Sequence, residues 1–263
     1  MGSALTASTD TVRFSIVDRL AIVTLNRSAQ RNAITLAMWR RLAGIFTELS
    51  ARSEVRGIVL TGDGAHFSTG ADISEFGAAR NDARQARDYE ASVEACSDAI
   101  FGAPQPTVAA ISGYCLGGAC HLAMACDFRV ADGTARIGIP SARLSIVYGV
   151  NSTRRLSALV GVPAAKRILF GAAQLDAEES LCLGFLDRLG ASALDQARAL
   201  AAEFADNAPL AIAGSKAILN GLAMGSLDAD AVQELISRAA DSRDYREARE
   251  AFAAKRKPLF EGR

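Results

Sequence analysis

Apolar residues recur with two different periods near the start of the chain. They alternate with polar residues over 12–17 and 20–25, on either side of a short turn, which predicts two β-strands in a hairpin. From residue 34 to residue 49 they recur at helical spacing, which predicts an amphipathic helix with Thr35 as its N-terminal cap. An apolar run over 55–62 predicts a third strand, so the chain opens in the order strand, strand, helix, strand.

The middle of the chain repeats this alternation of strands and helices. Residues 83–101 are charged and alanine-rich with a helical pattern, and residues 107–113 predict a buried strand. A glycine-rich turn and a helix over about 118–125 follow, and two short strands are predicted in 127–132 and 135–140. This order predicts an α/β fold.

From residue 151 onward the pattern is almost continuously helical. The last helical stretch is expected to break near Ser242 and to end at Pro258, because proline cannot continue a helix. We predict a core over residues 1–200 and a C-terminal helical region over residues 201–263, which packs on that core or on neighbouring subunits.

Composition and charge exclude several classes of partner. The chain has 263 residues, half of them apolar, which is enough for one substantial core. It carries 29 basic and 29 acidic side chains, so no net charge draws it to nucleic acid or anionic lipid. The N-terminus lacks a signal-peptide pattern and no segment has the roughly 18 to 20 apolar residues of a membrane span, which predicts a cytoplasmic protein without membrane contact.

Cysteine and histidine usage argues against disulfides and bound metals. The five cysteines are odd in number and show no paired spacing, which favours reduced thiols in the core. Only two histidines are present, His66 and His121, and no cluster in the sequence joins them to cysteines or carboxylates. We therefore expect no metal site.

Two loops share a design in which glycines follow a buried strand and precede a helix. In STGADIS the candidate hydrogen-bond donor is the amide of Ala71, and in LGGACH it is the amide of Gly118. The start of a helix behind Gly118 adds unsatisfied N–H groups. Two amides aimed at one oxygen would form an oxyanion hole. Each loop alone is also compatible with a plain strand-to-helix connection.

Motifs occur in order along nearly the whole chain: RNAIT (31–35), AHFSTGADISEF (65–76), ISGYCLGGACHLAMACDFRVAD (111–132), GIP followed by RRLSALVG (154–161), and EAFAAKRKPLF (250–260). In order and spacing they resemble the crotonase or enoyl-CoA hydratase/isomerase family. The resemblance implies a spiral of β-β-α repeats and a C-terminal helical region that builds homotrimers, usually paired into hexamers. It also implies that the protein binds acyl-CoA thioesters, with the thioester oxygen held by Ala71 and Gly118.

The resemblance also implies contacts to coenzyme A, which enters as part of the substrate, with no separate cofactor. Phe252 and Lys255 match positions that reach the adenine and phosphate, often from the neighbouring subunit, and their spacing predicts one shared helical face. Ser74 replaces a frequent lysine of the family. Arg31 is a further candidate, although it also fits an exposed arginine in a solvated loop. The other candidates lie in or near the two loops: Ala33, Ala71, Asp72, Ile73, Gly117 and Gly118.

Hydratases of this family use two glutamates that the chain lacks, one to activate water and one to protonate the α-carbon. Three residues after Gly118, where the first is expected, the sequence has His121. Ser141 stands where the second is expected. The nearest acids, Asp127 and Asp132, are not convincing replacements, and Asp127 resembles a structural residue of the family.

Three side chains are candidates for the missing chemistry. His121 is expected to be a neutral imidazole that handles a proton or positions a water, and the alternative is a buried histidine bonded to a backbone or serine oxygen. Ser141 and Tyr148 would line the acyl pocket. Tyr148 matches a tyrosine in a decarboxylase branch of the family, and the alternative is a tyrosine of the core. The expected reaction is hydration or isomerisation of an enoyl-CoA, or an atypical hydrolysis or decarboxylation. The rival interpretation is an acyl-CoA-binding protein without catalysis.

Overall fold

The computed structural model describes residues 10–263. Its strands are β1 (Val12–Val17), β2 (Leu20–Leu25), β3 (Gly57–Gly62), β4 (Thr107–Ile111), β5 (Tyr114–Leu116), β6 (Phe128–Asp132), β7 (Arg136–Gly138), β8 (Gln174–Asp176) and β9 (Arg188–Gly190). Its α-helices are α1 (Leu36–Ser50), α2 (Phe76–Ala79), α3 (Ala83–Phe101), α4 (Gly118–Ala125), α5 (Val150–Gly171), α6 (Ala177–Cys182), α7 (Ala193–Ala205), α8 (Pro209–Met224), α9 (Ala229–Ala240) and α10 (Arg243–Ala253).

The elements predicted for the first half of the chain are confirmed. β1 and β2 coincide with the two alternating segments and pair antiparallel. Thr35 caps α1, because its hydroxyl oxygen accepts a hydrogen bond from the amide of Met38. The helices predicted over 83–101 and 118–125 are α3 and α4.

The C-terminal predictions need correction. The break near Ser242 is confirmed, since its hydroxyl accepts a hydrogen bond from the amide of Tyr245 and caps α10. Pro258 does not end this helix, because α10 already stops at Ala253. The sequence pattern also gives no sign of β5, β8 or β9, because a strand of three residues is too short to display a period. β7 is equally short but lies inside the predicted segment 135–140.

Two sheets form the framework. The larger has six strands in the order β1-β2-β3-β4-β6-β9 and is parallel except for the β1–β2 hairpin. The smaller joins β5, β7 and β8. The chain passes from β4 in the large sheet to β5 in the small one and then into α4, and it repeats this path through β6, β7 and α5. The α/β class and the β-β-α order are therefore confirmed.

Two apolar clusters hold the layers together. In the larger, Trp39 of α1 donates its indole N–H to the hydroxyl oxygen of buried Tyr89 in α3 at 3.1 Å. In the smaller, α7 packs on β3, β4 and β6. The domain boundary near residue 200 falls inside α7 and stays a prediction.

Two expectations from composition can be compared with the fold. All five cysteines are free and four are buried, but Cys182 is exposed, so the prediction of core thiols is wrong for that residue. No helix within residues 10–263 is both long enough and apolar enough to cross a lipid bilayer.

Candidate active site

The amide of Ala71 is left free by the pairing of its neighbours. Ile34 donates its amide to the carbonyl oxygen of Gly70 at 2.8 Å and accepts from the amide of Asp72 at 2.9 Å. Because alternate residues of an extended segment point to opposite sides, the N–H of Ala71 points away from Ile34. Among the described residues, it donates to no other group.

The amide of Gly118 lies at the first position of α4, where no intrahelical acceptor is within reach. Gly117 precedes it with a φ of 52° and a ψ of −113°, which a residue with a side chain rarely adopts. The amide of Gly117 donates to the carbonyl oxygen of Gly138 in β7 at 2.7 Å. The small sheet therefore fixes the start of α4.

The two loops approach closely enough for both amides to face one atom. A Cβ atom added to Gly118 would lie 3.1 Å from the amide nitrogen of Ala71. One added to Gly70 would lie 2.8 Å from the amide nitrogen of Gly118 and 2.3 Å from the carbonyl oxygen of Leu116. Glycine at positions 70 and 118 thus permits the approach of the loops. The structure brings the two predicted donors together, and their catalytic role stays a prediction.

A cavity of about 110 Å³ adjoins these amides. The residues predicted from the sequence that line it are Ala71, Ile73, Gly117, Gly118, His121, Ser141 and Tyr148. Aromatic and aliphatic side chains supply much of the remaining wall, including Trp39, Phe76, Tyr89, Val93, Leu144, Ile146 and Val147. Residues from distant parts of the sequence thus surround one small and largely apolar space.

His121 is almost fully buried in the first turn of α4. Its Nδ1 lies 2.6 Å from the hydroxyl oxygen of Ser152, and its ring packs edge-on against Tyr148 with centroids 4.2 Å apart. Burial lowers the pKa of His121 to about 3, and the charge of Arg155 adds to this effect. The ring is neutral at neutral pH, although burial, and not the helix start, is the main cause. So weak a base is better suited to orienting a water than to carrying a proton.

Tyr148 and Ser141 both line the cavity. Tyr148 donates its hydroxyl to the carbonyl oxygen of Gly117 at 3.3 Å, and burial raises its pKa well above the usual value, so it stays a phenol. Ser141 lies in a short 3-10 turn, and its hydroxyl forms no hydrogen bond with another described residue.

Two glutamates that the sequence analysis does not single out lie beside His121. Glu90 lines the cavity, and Glu94 lies one helical turn further along α3. One carboxylate oxygen from each and one ring nitrogen of His121 lie within 4.8 Å of one another. The expectation that no carboxylate joins either histidine is therefore wrong. Their spacing of four residues, next to buried Tyr89 and Val93, indicates that both glutamates lie on one face of α3. The spacing does not identify the helix that this face contacts.

Burial raises the pKa of both glutamates. The charge of Arg80 opposes this effect at Glu90, and the charge of Glu94 adds to it. At Glu94, a hydrogen bond from the side-chain amide of Asn151 to Oε2, 3.1 Å long, opposes it. The second oxygen of Glu94, Oε1, is buried and has no hydrogen-bond partner in the described chain.

Two of the predicted coenzyme A positions support the first loop and do not line the cavity. Asp72 accepts a hydrogen bond from the hydroxyl of Ser74, the main cause of its lowered pKa, and forms an ion pair with Arg27 at 3.0 Å. Arg27 also donates to the carbonyl oxygen of Ala33 at 2.6 Å. Ser74 is thus engaged in the structure of the loop.

Three predicted coenzyme A contacts, Arg31, Phe252 and Lys255, are exposed. Arg31 has its guanidinium over the ring of Tyr114 at 5.8 Å. Phe252 is 88% exposed, and neither it nor Lys255 lines the cavity. The prediction that these two share a helical face is wrong, because α10 ends at Ala253 and Lys255 has a left-handed backbone with a φ of 52°.

Two further polar residues, His66 and Asp127, have structural partners. The Nδ1 of His66 accepts a hydrogen bond from the amide of Tyr114 at 3.2 Å. Asp127 accepts hydrogen bonds from the amide of Thr107 at 2.7 Å and from the ammonium group of Lys216 at 2.8 Å. These bonds connect β4 and the start of β6 to helix α8.

Comparison with known proteins supplies the family. The family described as enoyl-CoA hydratase/isomerase matches residues 16–263. The chain is 32% identical to the short-chain-enoyl-CoA hydratase of Clostridium acetobutylicum over 91% of this chain and 93% of that protein. It is 32% identical to the 2,3-dehydroadipyl-CoA hydratase of Escherichia coli over 93% of this chain and 96% of that protein. A solved structure, the enoyl-CoA hydratase/carnithine racemase of Magnetospirillum magneticum, is similar with a TM-score of 0.91 and 34% identity, covering 97% of each chain. The chain therefore belongs to the enoyl-CoA hydratase/isomerase family and has its crotonase fold.

Proposed function

We propose that the protein is an enzyme that binds acyl-CoA thioesters and stabilises the thioester enolate with the amides of Ala71 and Gly118. The observation that carries this proposal is the juxtaposition of two amides without partners at one end of a small cavity. Such donors stabilise negative charge on a carbonyl oxygen. This charge is present in the enolate, which forms when the α-carbon loses a proton and persists until the α-carbon is protonated. Relatives named as enoyl-CoA hydratases support acyl-CoA as the substrate class.

The reaction we propose is hydration or isomerisation of an enoyl-CoA. The cavity of about 110 Å³ has room for a few non-hydrogen atoms, and its apolar wall includes Trp39 and Phe76. An apolar wall limits access of bulk water, so that fixed hydrogen-bond donors act more strongly on the developing charge. Ser141 and Tyr148 would line the acyl group, and His121 would orient a water.

The coenzyme A handle and the oligomer form a second part of the proposal. Phe252 and Lys255 would reach coenzyme A across a subunit contact in a homotrimer or a hexamer, and Arg31 would lie beside the channel. The exposure of Phe252 in the single chain is compatible with such a role. Further apolar side chains are exposed on and near α8 and α9, which also fits subunit contacts: Leu219, Leu222, Leu227 and Ile236.

A second candidate function is binding of acyl-CoA without turnover. It is favoured by His121 and Ser141, which occupy the positions where the resemblance places catalytic glutamates. The two candidates predict the same ligand class and differ only in whether the ligand is converted.

The test combines ligand binding with turnover on one preparation. Thermal melts are recorded with crotonyl-CoA, butyryl-CoA and free coenzyme A, and hydration of crotonyl-CoA is followed by the loss of its enoyl absorbance. We expect both acyl-CoA compounds to raise the melting temperature more than free coenzyme A does, with measurable hydration. Stabilisation by acyl-CoA without conversion would favour the second candidate. If no acyl-CoA raises the melting temperature, both candidates fail.

A further inference from the structure

We propose that Glu90 is the acid–base residue of this site and that Glu94 is a positioning residue that keeps a proton on the pair. The inference deepens the proposed function and rests on it, because it requires a thioester held by Ala71 and Gly118. It places proton transfer on α3, away from positions 121 and 141, where the family resemblance leads one to look for glutamates.

Glu90 is selected by its position on the cavity wall. It is the only carboxylate among the described residues that line the cavity, and the same wall contains both Ala71 and Gly118. In so small a space, a ligand whose carbonyl oxygen meets the two amides brings its neighbouring carbons toward the remaining wall. A general acid or base must reach the proton it moves, and Glu90 meets that requirement better than Glu94, which does not line the cavity.

Gly149 reveals how closely the two carboxylates converge. A Cβ atom added to Gly149 would lie 2.7 Å from Oε1 of Glu90 and 2.6 Å from Oε1 of Glu94. Both oxygens thus reach one point beside a residue that has no side chain. Carboxylates that share a partly buried site do not both ionise readily, so the pair retains one proton at a pH where isolated glutamates are ionised.

The surroundings of the pair favour this shared proton. Asn151 satisfies one oxygen of Glu94, whereas Oε1 is buried without a partner and would accept a hydrogen bond from a protonated Glu90. The charged and titratable groups that face the pair from the packed elements are Arg80, Asp98, His121, Tyr148 and Arg155. The two arginines favour ionisation, Asp98 opposes it, and Arg155 is itself paired with Asp98 at 2.8 Å.

The proposed step is a reversible proton transfer at the α-carbon. Once the pair has lost its shared proton, the carboxylate of Glu90 takes a proton from this carbon, and the electron pair of the broken C–H bond forms the C=C bond of the enolate. The π-electrons of the carbonyl group move to the oxygen held by Ala71 and Gly118. In the reverse direction Glu90 returns the proton, so the step needs no oxidant, reductant or further reactant.

Exchange of the α-protons of butyryl-CoA in D₂O tests this step without requiring hydratase turnover. Mass spectrometry follows the uptake of deuterium, and thermal melts with butyryl-CoA follow binding. We expect Glu90→Gln to slow exchange by about 100-fold or more while the shift in melting temperature is retained. Glu94→Gln should slow exchange less than Glu90→Gln does. It should also shift the pH at which the exchange rate rises to a lower value, because the like charge beside Glu90 is removed. Asp88→Asn, on the exposed side of α3, is the matched control and should exchange at the wild-type rate.

The outcomes separate this inference from the proposed function. Exchange by Glu90→Gln at the wild-type rate, with binding intact, overturns the role of Glu90 and leaves the proposed function standing. If the wild-type protein shows no exchange and is not stabilised by butyryl-CoA, the proposed function itself is overturned. If Glu90→Gln does not fold, Glu90→Asp replaces it, with a loss of about 100-fold expected from the shorter reach and an unchanged rate overturning the proposal. Exchange should continue after dialysis against EDTA. If EDTA abolished exchange and a divalent cation restored it, a bound metal and not a shared proton would explain the carboxylate pair, and the proposal would be overturned.

Discussion

The Nδ1 atom of His121 lies 2.6 Å from the hydroxyl oxygen of Ser152, and this hydrogen bond joins the first turn of α4 to the first turn of α5. Ser152 is fully buried and does not line the cavity. Ser152 thus orients the imidazole from the side away from the cavity, while the imidazole ring contacts Tyr148 at the cavity wall. The placement of His121 therefore depends on a residue outside the cavity wall.

Replacing Ser152 by alanine tests this support. The substitution leaves the buried Nδ1 of His121 without a partner, and we expect it to lower the free energy of unfolding by about 1–3 kcal/mol. Urea denaturation measures the change. Ser157→Ala is the control, because its exposed hydroxyl bonds only to the carbonyl oxygen of Arg154 in the same helix, and its effect should be small. Wild-type stability of Ser152→Ala would contradict the role assigned to the hydrogen bond.

The buried imidazole also predicts how stability depends on pH. Burial lowers the pKa of His121 from 6.5 to about 3, so between these values the unfolded chain binds a proton that the folded chain does not. The stability that follows from this difference is full above pH 6.5 and falls by about 1.4 kcal/mol per pH unit as the solution is acidified toward pH 3. Glu90 and Glu94 act in the opposite sense, because their raised pKa values let the folded chain bind more protons.

The difference in unfolding free energy between wild type and His121→Gln isolates this histidine. Urea denaturation between about pH 7 and about pH 5 should give a less acid-sensitive stability for His121→Gln. The control Ser157→Ala keeps His121, changes no titratable group, and should keep the acid sensitivity of the wild type. Equal pH dependence in wild type and His121→Gln would contradict the prediction.

The sequence predicts the two loops of the site better than its acids. Ala71 and Gly118 each lie in a local pattern of strand, glycine and helix, so their surroundings can be inferred from a few adjacent residues. Glu90 and Glu94 enter the site only because α3 packs near α4 and because Gly149 leaves room for their carboxylates. No local pattern contains that information, since it depends on contacts between distant parts of the chain.

The predictions for the C-terminus were limited by a different cause. The spacing of Phe252 and Lys255 indicates one helical face only if the helix continues through both residues. The helix instead ends at Ala253, and Lys255 takes a left-handed conformation. A proline further along marks where a helix can no longer continue, but it does not mark where the helix stops.

Gly118→Ala should block the space between the two amides. Its Cβ would lie 3.0 Å from Cζ2 of Trp39 and 3.1 Å from the amide nitrogen of Ala71. We expect the proposed exchange of butyryl-CoA to slow by about 10²–10³-fold, as when an oxyanion-hole donor is lost. Gly44→Ala in α1 is the control, because nothing lies within 4 Å of its added Cβ, and it should stabilise the protein by about 0.5–1 kcal/mol without slowing exchange. A wild-type rate in Gly118→Ala would contradict the assignment of this amide.

Gly149→Ala should displace the carboxylate pair without altering either carboxylate. Alanine adopts the backbone conformation of Gly149, which has a φ of −58° and a ψ of 152°. The added methyl would lie well inside contact distance of Oε1 of both Glu90 and Glu94, the mobile ends of long side chains that can rotate away. We therefore expect a small change in melting temperature and a slower exchange of butyryl-CoA. Gly77→Ala, with nothing within 4 Å of its added Cβ, is the matched control.

The double variant Gly149→Ala with Glu90→Gln decides how the methyl acts. If it slows exchange by moving Glu90, the double variant should be no slower than Glu90→Gln alone, because both changes remove the same interaction. If it acts only by filling the cavity, the two losses should multiply, and the melting-temperature shift with butyryl-CoA should shrink. Multiplying losses would argue against a functional link between Gly149 and Glu90, and a wild-type rate in Gly149→Ala alone would contradict the predicted displacement.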